Sequence, residues 1–372
     1  MKFTCEKIPL LAAILTASRA AAAKSPVPVL EGLLLEVEDE EIRISGYDLK
    51  TGIVTTIPAE VEKTGGIVLN ARLFGEIIRK MPGQFITIAV NNGLSAVISS
   101  EMSEFEILGS PVSDYPELPI VDGQDSIEIC EELLKKMISQ TNFAVSDNET
   151  RPIHTGALFE ISGGELIIVA VDGFRLALRR EQMDNENMST FSFVVPGTAL
   201  GELEKIAVEG DGLVNITLGP KYIMFAIGGT TLISRRLEGE FLNYRNSIPQ
   251  SAKYNLKVNK NEMISAVERV SLIISEKMKS PIKCVLSDGI INLYTASAVG
   301  KASDECCMEG DGEDLEIGFN DKYLLEALKA APAEDVKLEI SSGVTPCVIS
   351  PVDDNGNFLY MILPVRLKAY EN

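Results

Sequence analysis

The sequence predicts an α+β fold of antiparallel sheets, with one unit used three times along the chain. Three observations carry that prediction. One strand–helix pattern recurs three times. The strands alternate apolar and polar residues with period two, as sheets with one solvated face do. Dipeptides suited to hairpin turns stand between them: Asn92-Gly93, Asp122-Gly123, Asp172-Gly173, Asp211-Gly212, Asp288-Gly289 and Asn355-Gly356. A doubly wound parallel sheet fits none of these.

The first element of each copy is an alternating strand that runs into a helix. Phe3 and Cys5 lead to Leu10, Leu11 and Ile14. Ile127 and Ile129 lead to Leu133, Leu134, Met137 and Ile138. Leu256 and Val258 lead to Met263, Ile264, Val267 and Val270. In each copy a strand residue precedes its helix partner by seven positions: Phe3 to Leu10, Ile127 to Leu134, Leu256 to Met263. Those strand residues lie 124 and 129 positions apart, 3 to 127 and 127 to 256.

A second pattern fills the later half of each copy. It reads IVLNARLFGEII at 67–78, FVVPGTALGELEKI at 193–206 and IGFNDKYLLEAL at 317–328. Each is a short strand, then Asn70, Pro196 or Asn320 to start a helix, then apolar residues at helical spacing. Asn caps a helix N-terminus and Pro suits its first turn. Strands follow: FITIAV at 85–90, LVNITL at 213–218 and VKLEI at 336–340. Polar, Pro-containing stretches at 116–126 and 246–254 separate the copies. The expected domains are 1–120, 126–248 and 254–367, with a tail at 368–372.

Composition limits the function. The chain has 372 residues, of which 45% are hydrophobic and 24% charged, enough for packed cores. Its 34 Lys+Arg against 54 Asp+Glu give a net charge of −20, which disfavours nucleic-acid binding by bulk attraction. The single histidine, His154, excludes HExxH zinc hydrolases and three-histidine metal sites. It is read as a partly buried residue at a strand end. The six cysteines include no C-x-x-C pair and read as buried free thiols. The apolar stretch 8–23 is broken by Pro9 and Arg19, so neither a signal peptide nor a spanning helix is expected. A cytoplasmic location follows. No phosphate-binding loop and no nucleophile motif is present, and DDNGN at 353–357 lacks the glycine spacing of a calcium loop. No enzyme activity, cofactor or metal is expected. A second reading compatible with the repeats and the acidity is an acidic repeat scaffold for protein interactions, without a DNA role.

Several segments taken together resemble one family. They are TRPIHTGALFEI (150–161), VDGFRLALRR (171–180), LEGEFLNYRNSIP (237–249), SEKMKSPI (275–282), GFNDKYLLEAL (318–328) and LPVRL (363–367). In this order they resemble the bacterial DNA polymerase III beta subunit, the sliding-clamp family. The resemblance spans the whole chain and includes the threefold repeat. It implies a head-to-tail homodimer, a ring of six similar domains with helices inside and sheets outside. Duplex DNA would thread the ring without sequence preference. The resemblance also implies the partners: the polymerase III alpha subunit, an ATP-using clamp loader, repair polymerases, ligase and mismatch-repair proteins. No membrane partner is implied.

The resemblance also carries site residues. The peptide groove would take His154, Val171, Gly173, Phe174, Arg175 and Leu176 from the second domain, with Leu242, Asn246 and Ser247 at its end. From the third domain it would take Met278, Asn320, Tyr323 and Val344, and from the last strand Met361, Leu363, Pro364, Val365, Arg366 and Leu367. Arg175, Asn320 and Arg366 would hold the peptide's polar groups. Three positions depart from the family pattern: His154 replaces an apolar residue, Leu242 a common proline and Asn246 a basic residue. Residues 368–372 continue past the usual end, and Tyr370 is expected to fold back over the groove. The predicted helices carry Lys7, Arg19, Lys24, Arg72, Arg79, Lys80, Lys135, Lys136, Lys205, Lys260, Arg269, Lys322 and Lys329. Of these, Lys24, Arg72, Arg79, Lys80, Lys136 and Lys205, together with Arg151, are the expected DNA-facing cations, meeting phosphates. Phe105 and Ile107 would meet Leu272 and Ile273 across the dimer contact.

Overall fold

The computed structural model describes residues 1–123, 125–183, 190–275, 280–310, 315–353 and 356–367. Among them are six α-helices, two per repeat: α1 (Lys7–Ala17), α2 (Ala71–Lys80), α3 (Glu131–Ser139), α4 (Gly197–Ile206), α5 (Lys260–Ser271) and α6 (Asp321–Ala330). The predicted strands Phe85–Val90 and Leu213–Leu218 form with the expected bounds.

The seven-residue offset is a packing rule. Phe3, Leu10, Ile127, Leu134, Leu256 and Met263 are all at most 3% exposed. The strand residue points to the core, and seven positions on the helix returns a side chain to the same place. A backbone bond repeats the geometry: Lys7 N–H to Gln84 O, Glu131 N–H to Gly212 O and Lys260 N–H to Glu334 O, at 2.8, 2.7 and 2.9 Å.

The helix starts follow the predicted caps, with one change. Asn70 Oδ1 accepts from Leu73 N at 3.0 Å and Asn320 Oδ1 from Tyr323 N at 3.1 Å. Asn259 caps α5 the same way. Pro196 is not in the first turn of α4. It ends the strand Phe191–Pro196, where it lies opposite Gly156 in the ladder, and the helix opens at Gly197.

The chain forms two compact units, residues 1–135 with 201–236, and residues 136–200 with 237–372. The first unit holds two sheets. A five-stranded sheet runs Glu60–Lys63, Lys2–Glu6, Phe85–Val90, Ser95–Ser100, Ser103–Leu108. An eight-stranded sheet runs Asp125–Cys130, Leu213–Leu218, Tyr222–Ile227, Thr230–Arg235, Thr51–Pro58, Glu41–Tyr47, Gly32–Glu38, Gly65–Asn70. Helices α1 and α2 supply Leu10, Ile14, Phe74 and Ile78 to the core between these sheets.

The second unit has one sheet of twelve strands. Its order is Phe191–Pro196, Gly156–Ser162, Glu165–Val171, Arg175–Gln182, Phe358–Ile362, Cys347–Pro351, Asp335–Ile340, Tyr254–Asn259, Gly300–Glu309, Ile290–Ser297, Ile282–Ser287, Leu315–Phe319. Both large sheets therefore join strands from different repeats. Thr51–Pro58 pairs with Thr230–Arg235, and Arg175–Gln182 with Phe358–Ile362. All pairings are antiparallel, as the alternation predicts.

Three sequence expectations change. Asp122-Gly123 and Asp211-Gly212 are not hairpin turns; the first precedes the strand Asp125–Cys130 and the second follows α4. The strand at 165–171 does not alternate in burial, because a second apolar layer covers its other face. The cysteines are free, but only Cys5, Cys284, Cys306 and Cys347 are buried; Cys130 is half-buried and Cys307 exposed. Burial pushes the Cys5 and Cys284 thiols up to about 12, which keeps them protonated and inert. No helix among the described residues is long and apolar enough to cross a membrane.

Candidate functional site

The second unit gathers most of the expected groove residues. Val171, Leu176 and Met361 are buried in one apolar cluster with Leu178, Val194, Tyr244 and Val348. Pairing places Leu176 opposite both Val171 and Met361. Ile153, Leu237 and Phe241 close over this cluster and were not foreseen. The segment 237–248 is held down by Tyr244, whose hydroxyl donates to Glu160 Oε2 at 2.5 Å. Tyr244 lies within LEGEFLNYRNSIP, so its apolar spacing from Leu237 and Phe241 was the available signal.

His154 lies in the short 3-10 helix Pro152–Thr155, with its ring edge-on to Phe241 at 5.6 Å. Neither ring nitrogen has a hydrogen-bond partner among the described residues. Burial and then the nearby Arg151 charge hold its pKa below the usual histidine value.

The hairpin at 171–175 builds the other wall. Asp172 Oδ1 accepts from Phe174 N at 2.8 Å and Arg175 N at 3.0 Å. Gly173 sits at φ +91°, a conformation a side chain disfavours. The turn leaves Phe174 59% exposed, stacked on Tyr323 at 6.2 Å. The last segment is tied in at two points: Leu363 N donates to Phe174 O and Val365 N to Gly318 O, both at 2.8 Å. A Cβ on Gly318 would stand 2.5 Å from Val365 O and 2.8 Å from Leu367 Cδ2, so a glycine is needed there.

Two side chains expected to grip a ligand are used inside the protein. Arg175 is 7% exposed. Its Nε donates to Asp172 Oδ2 at 2.9 Å, its Nη1 to Glu326 and its Nη2 to Phe143 O at 2.6 Å. Asn320 spends its side-chain oxygen on the α6 cap. Arg366 is exposed and Pro364 half-buried. Leu242 and Asn246 stay exposed and Ser247 half-buried on the covering segment. Val344 is 75% exposed on the turn before the strand Cys347–Pro351. Met278 and the tail 368–372, with Tyr370, lie outside the described residues.

The cations divide into tethered and exposed. Lys7 Nζ donates to Met81 O, Lys135 Nζ to Ala207 O and Lys260 Nζ to Ala331 O, at 2.5, 2.9 and 2.8 Å. Each acceptor is the carbonyl just past the C-terminus of the second helix in that repeat, where cations are favoured. Arg79 pairs with Glu76 on its own helix, Lys205 with Glu202 at 2.7 Å, and Arg19 with the same Glu202 at 3.2 Å. Lys24 is not helical: α1 ends at Ala17, and Lys24 lies exposed in the loop beyond a short 3-10 turn at Ser18–Ala20. Arg72 and Lys80 on α2, Lys136 on α3, and Arg151 are exposed.

One strand edge carries Phe105 and Ile107, and a second open edge lies in the third repeat. Ser103–Leu108 is the outer strand of its sheet, with Phe105 exposed and Ile107 packed partly on the core of its own unit. Gly300–Glu309 pairs fully with Ile290–Ser297, but on its other side only Lys257 and Val258 meet it. Its residues 300–307 thus present an open edge among the described strands. Leu272, just past α5, is 84% exposed and Ile273 half-buried.

Three like repeats of two helices and antiparallel sheets, with cations on every helix pair and a separate apolar cluster in the second unit, define a clamp-type protein. Comparison with known proteins supplies the particular family. Family models of the DNA polymerase III beta subunit match throughout: its N-terminal domain at 1–119, central domain at 128–243 and C-terminal domain at 245–366. The beta sliding clamp of Staphylococcus epidermidis is 32% identical over 98% of this chain and 99% of its own. The Bacillus subtilis DNA polymerase sliding clamp structure superposes with TM-score 0.94 at 32% identity, covering 99% of this chain and 100% of that one. The Thermotoga maritima beta subunit gives 0.90 at 28% identity, with the same coverage of 99% and 100%. This chain belongs to the DNA polymerase III beta subunit family, the bacterial sliding clamps. Its function is that of a sliding clamp in DNA replication, and the acidic scaffold without a DNA role finds no support.

Proposed function

We propose that two copies close head to tail into a ring around duplex DNA, and that the groove of each copy holds peptide segments of its partners. The observation that supports the ring best is the pair of open strand edges, one in the first repeat and one in the third. Unpaired strand edges invite strand addition. Ser103–Leu108 of one copy, with Phe105 and Ile107, suits the 300–307 edge of the other, whose Asp304 pairs with Arg269 near the end of α5, just before Leu272 and Ile273. A heterologous contact of this kind closes when its rotation does.

The net charge of −20 fits such a ring. Topology, not attraction, keeps DNA inside, so weak phosphate contacts suffice. Lys24, Arg72, Arg79, Lys80, Lys136, Arg151 and Lys205 are assigned to them. The polymerase III alpha subunit, the clamp loader and repair proteins (repair polymerases, ligase, mismatch-repair factors) would use the groove in turn. Phe174 and Tyr323 supply its accessible apolar surface, backed by the buried Val171–Leu176–Met361 cluster, and Arg366 a free cation at its rim. The clamp itself performs no catalysis and needs no cofactor; ATP is used by the loader. It acts in the cytoplasm.

The decisive experiment loads the protein, with its loader, on nicked circular DNA and on the same DNA made linear. Retention on the circle with rapid loss from the linear form is expected. Equal retention on both would overturn the ring.

A further inference from the structure

Arg175 does more than stand beside the groove. Its guanidinium meets four groups drawn from three parts of the second unit. Nε bonds Asp172 in its own hairpin at 2.9 Å, Nη1 pairs with Glu326 on α6, and Nη2 bonds Phe143 O at 2.6 Å. Its plane also lies over the Tyr323 ring, 4.5 Å from the centroid. Tyr323 is in the first turn of α6 and stacks on the exposed Phe174.

The other end of α6 is held by the same assembly. The Phe143 ring meets Tyr360 edge-on at 5.4 Å, and the Tyr360 hydroxyl donates to Ala330 O, in the last turn of α6, at 3.1 Å. Arg175 also lies 5.4 Å from the Phe143 ring centroid. The contacts form a closed circuit: Arg175, Phe143, Tyr360, the length of α6, Glu326, and back to Arg175. Only a planar fork with donors in three directions closes it; a lysine ammonium cannot serve the same partners and stack as well. A buried guanidinium with all its partners fixed has few alternative arrangements. A ligand that presses on Phe174 and Tyr323 therefore meets a residue of α6 that this assembly holds.

We propose that Arg175 is a positioning residue that couples peptide occupancy of the groove to the packing of helix α6. This rests on the reading of the groove as a peptide site. Coupling of binding free energies is reciprocal, so whatever restrains α6 also tightens the groove.

The test uses the full-length protein and labelled decapeptides tiling the cognate polymerase alpha subunit. The tightest binder serves as probe, read by fluorescence anisotropy, with amide hydrogen exchange of α6 measured with and without it. For the unaltered protein we expect binding, and slower exchange across Tyr323–Ala327 when the peptide is bound. Glu326→Gln keeps the side chain's size and stands on α6, and it should weaken the probe by about five- to tenfold, at the low end of ordinary coupling. In that variant the peptide should no longer slow α6 exchange. Arg175→Lys should do the same, and the double variant should be no weaker than Arg175→Lys alone. Circular dichroism and an unchanged dimer mass establish that the variants are folded. No binding by the unaltered protein to any peptide would remove the peptide-site reading itself. Normal binding with unchanged affinity and exchange response in Glu326→Gln would overturn the coupling alone.

Discussion

Lys7 and Glu131 hold the same place in successive repeats, each four residues after the buried strand residue Phe3 or Ile127, yet they bond the paired helix with opposite charge. Lys7 donates its ammonium to Met81 O, just past the end of α2. Glu131 accepts from Val208 N–H at 2.7 Å, just past the end of α4. The lysine has moved one turn along, to Lys135, and donates to Ala207 O. Both sides of the Ala207–Val208 peptide are thus satisfied, by a carboxylate and an ammonium from one helix. The third repeat keeps the original arrangement with Lys260 and Ala331 O.

That exchange predicts an asymmetry in stability. Glu131 is 6% exposed and supplies a charge-assisted bond to a backbone donor. Glu131→Ala should cost about 1.5–3 kcal/mol, the worth of a hydrogen bond to a charged group. Glu131→Lys should cost more, because it puts a second cation beside Lys135. Gly212→Ala should also destabilise, since its Cβ would lie 2.4 Å from Glu131 Oε2. Urea denaturation followed by circular dichroism measures all three. A Glu131→Lys protein as stable as the parent would show that the position is neutral to charge.

How far the sequence reaches can be seen in these same residues. The seven-residue offset is local, so Phe3, Ile127 and Leu256 announce their helices without any knowledge of the rest. The joining of Thr51–Pro58 to Thr230–Arg235 is not announced, because no local rule sets which edge a strand finds. Arg175 shows the same limit within the groove. The run VDGFR marks a turn, but the turn does not say that its arginine is buried against Glu326, 151 positions away. Resemblance supplied its place on the wall, and only coordinates show its donors already taken. The lysines repeat the lesson: a count of cations on helices cannot separate Lys7, tied to a carbonyl, from Arg72, exposed.

The single histidine gives a prediction in pH. Burial and Arg151 lower the pKa of His154 in the folded protein. Between that value and the ordinary one near 6.5, the unfolded chain binds more protons than the folded one. This group's contribution to stability therefore rises with pH through that window and levels off above it. His154→Leu should flatten the dependence below the ordinary histidine value near 6.5 and leave the plateau above it unchanged. Thermal melting of both proteins across that range tests it. An identical pH profile for the two would mean that His154 titrates normally.

The strand edges predict the assembly's weak point. Leu272 is exposed in a single copy, so a charge there costs the fold little, whereas at a contact it would be buried without a partner. Leu272→Asp should give folded monomers, and Phe105→Asp on the facing edge should do the same. Multi-angle light scattering with circular dichroism separates dissociation from unfolding. Dimers of unchanged strength in both variants would place the contact elsewhere.

Retention and loading should depend differently on charge. A protein held on DNA by phosphate contacts loses roughly 10³–10⁵ in affinity between 50 and 200 mM salt when it makes six to ten of them. A closed ring on a circle has no such dependence, because leaving requires opening the contact between copies. Encounter with DNA before closure does feel charge. All three cations of α2 are exposed, but Arg72 and Lys80 have no carboxylate partner among the described residues, whereas Arg79 is already matched by Glu76 on the same helix. Arg72→Ala with Lys80→Ala should therefore slow loading several-fold at low salt, and more than Arg79→Ala does. The half-life of loaded clamp on circular DNA should be the same for the parent and both variants, and nearly flat in salt. Loading rates and dissociation of labelled clamp from circles at 50 and 200 mM salt supply both numbers. A half-life that falls with salt as steeply as loading does would mean that charge, not ring closure, holds the protein to DNA.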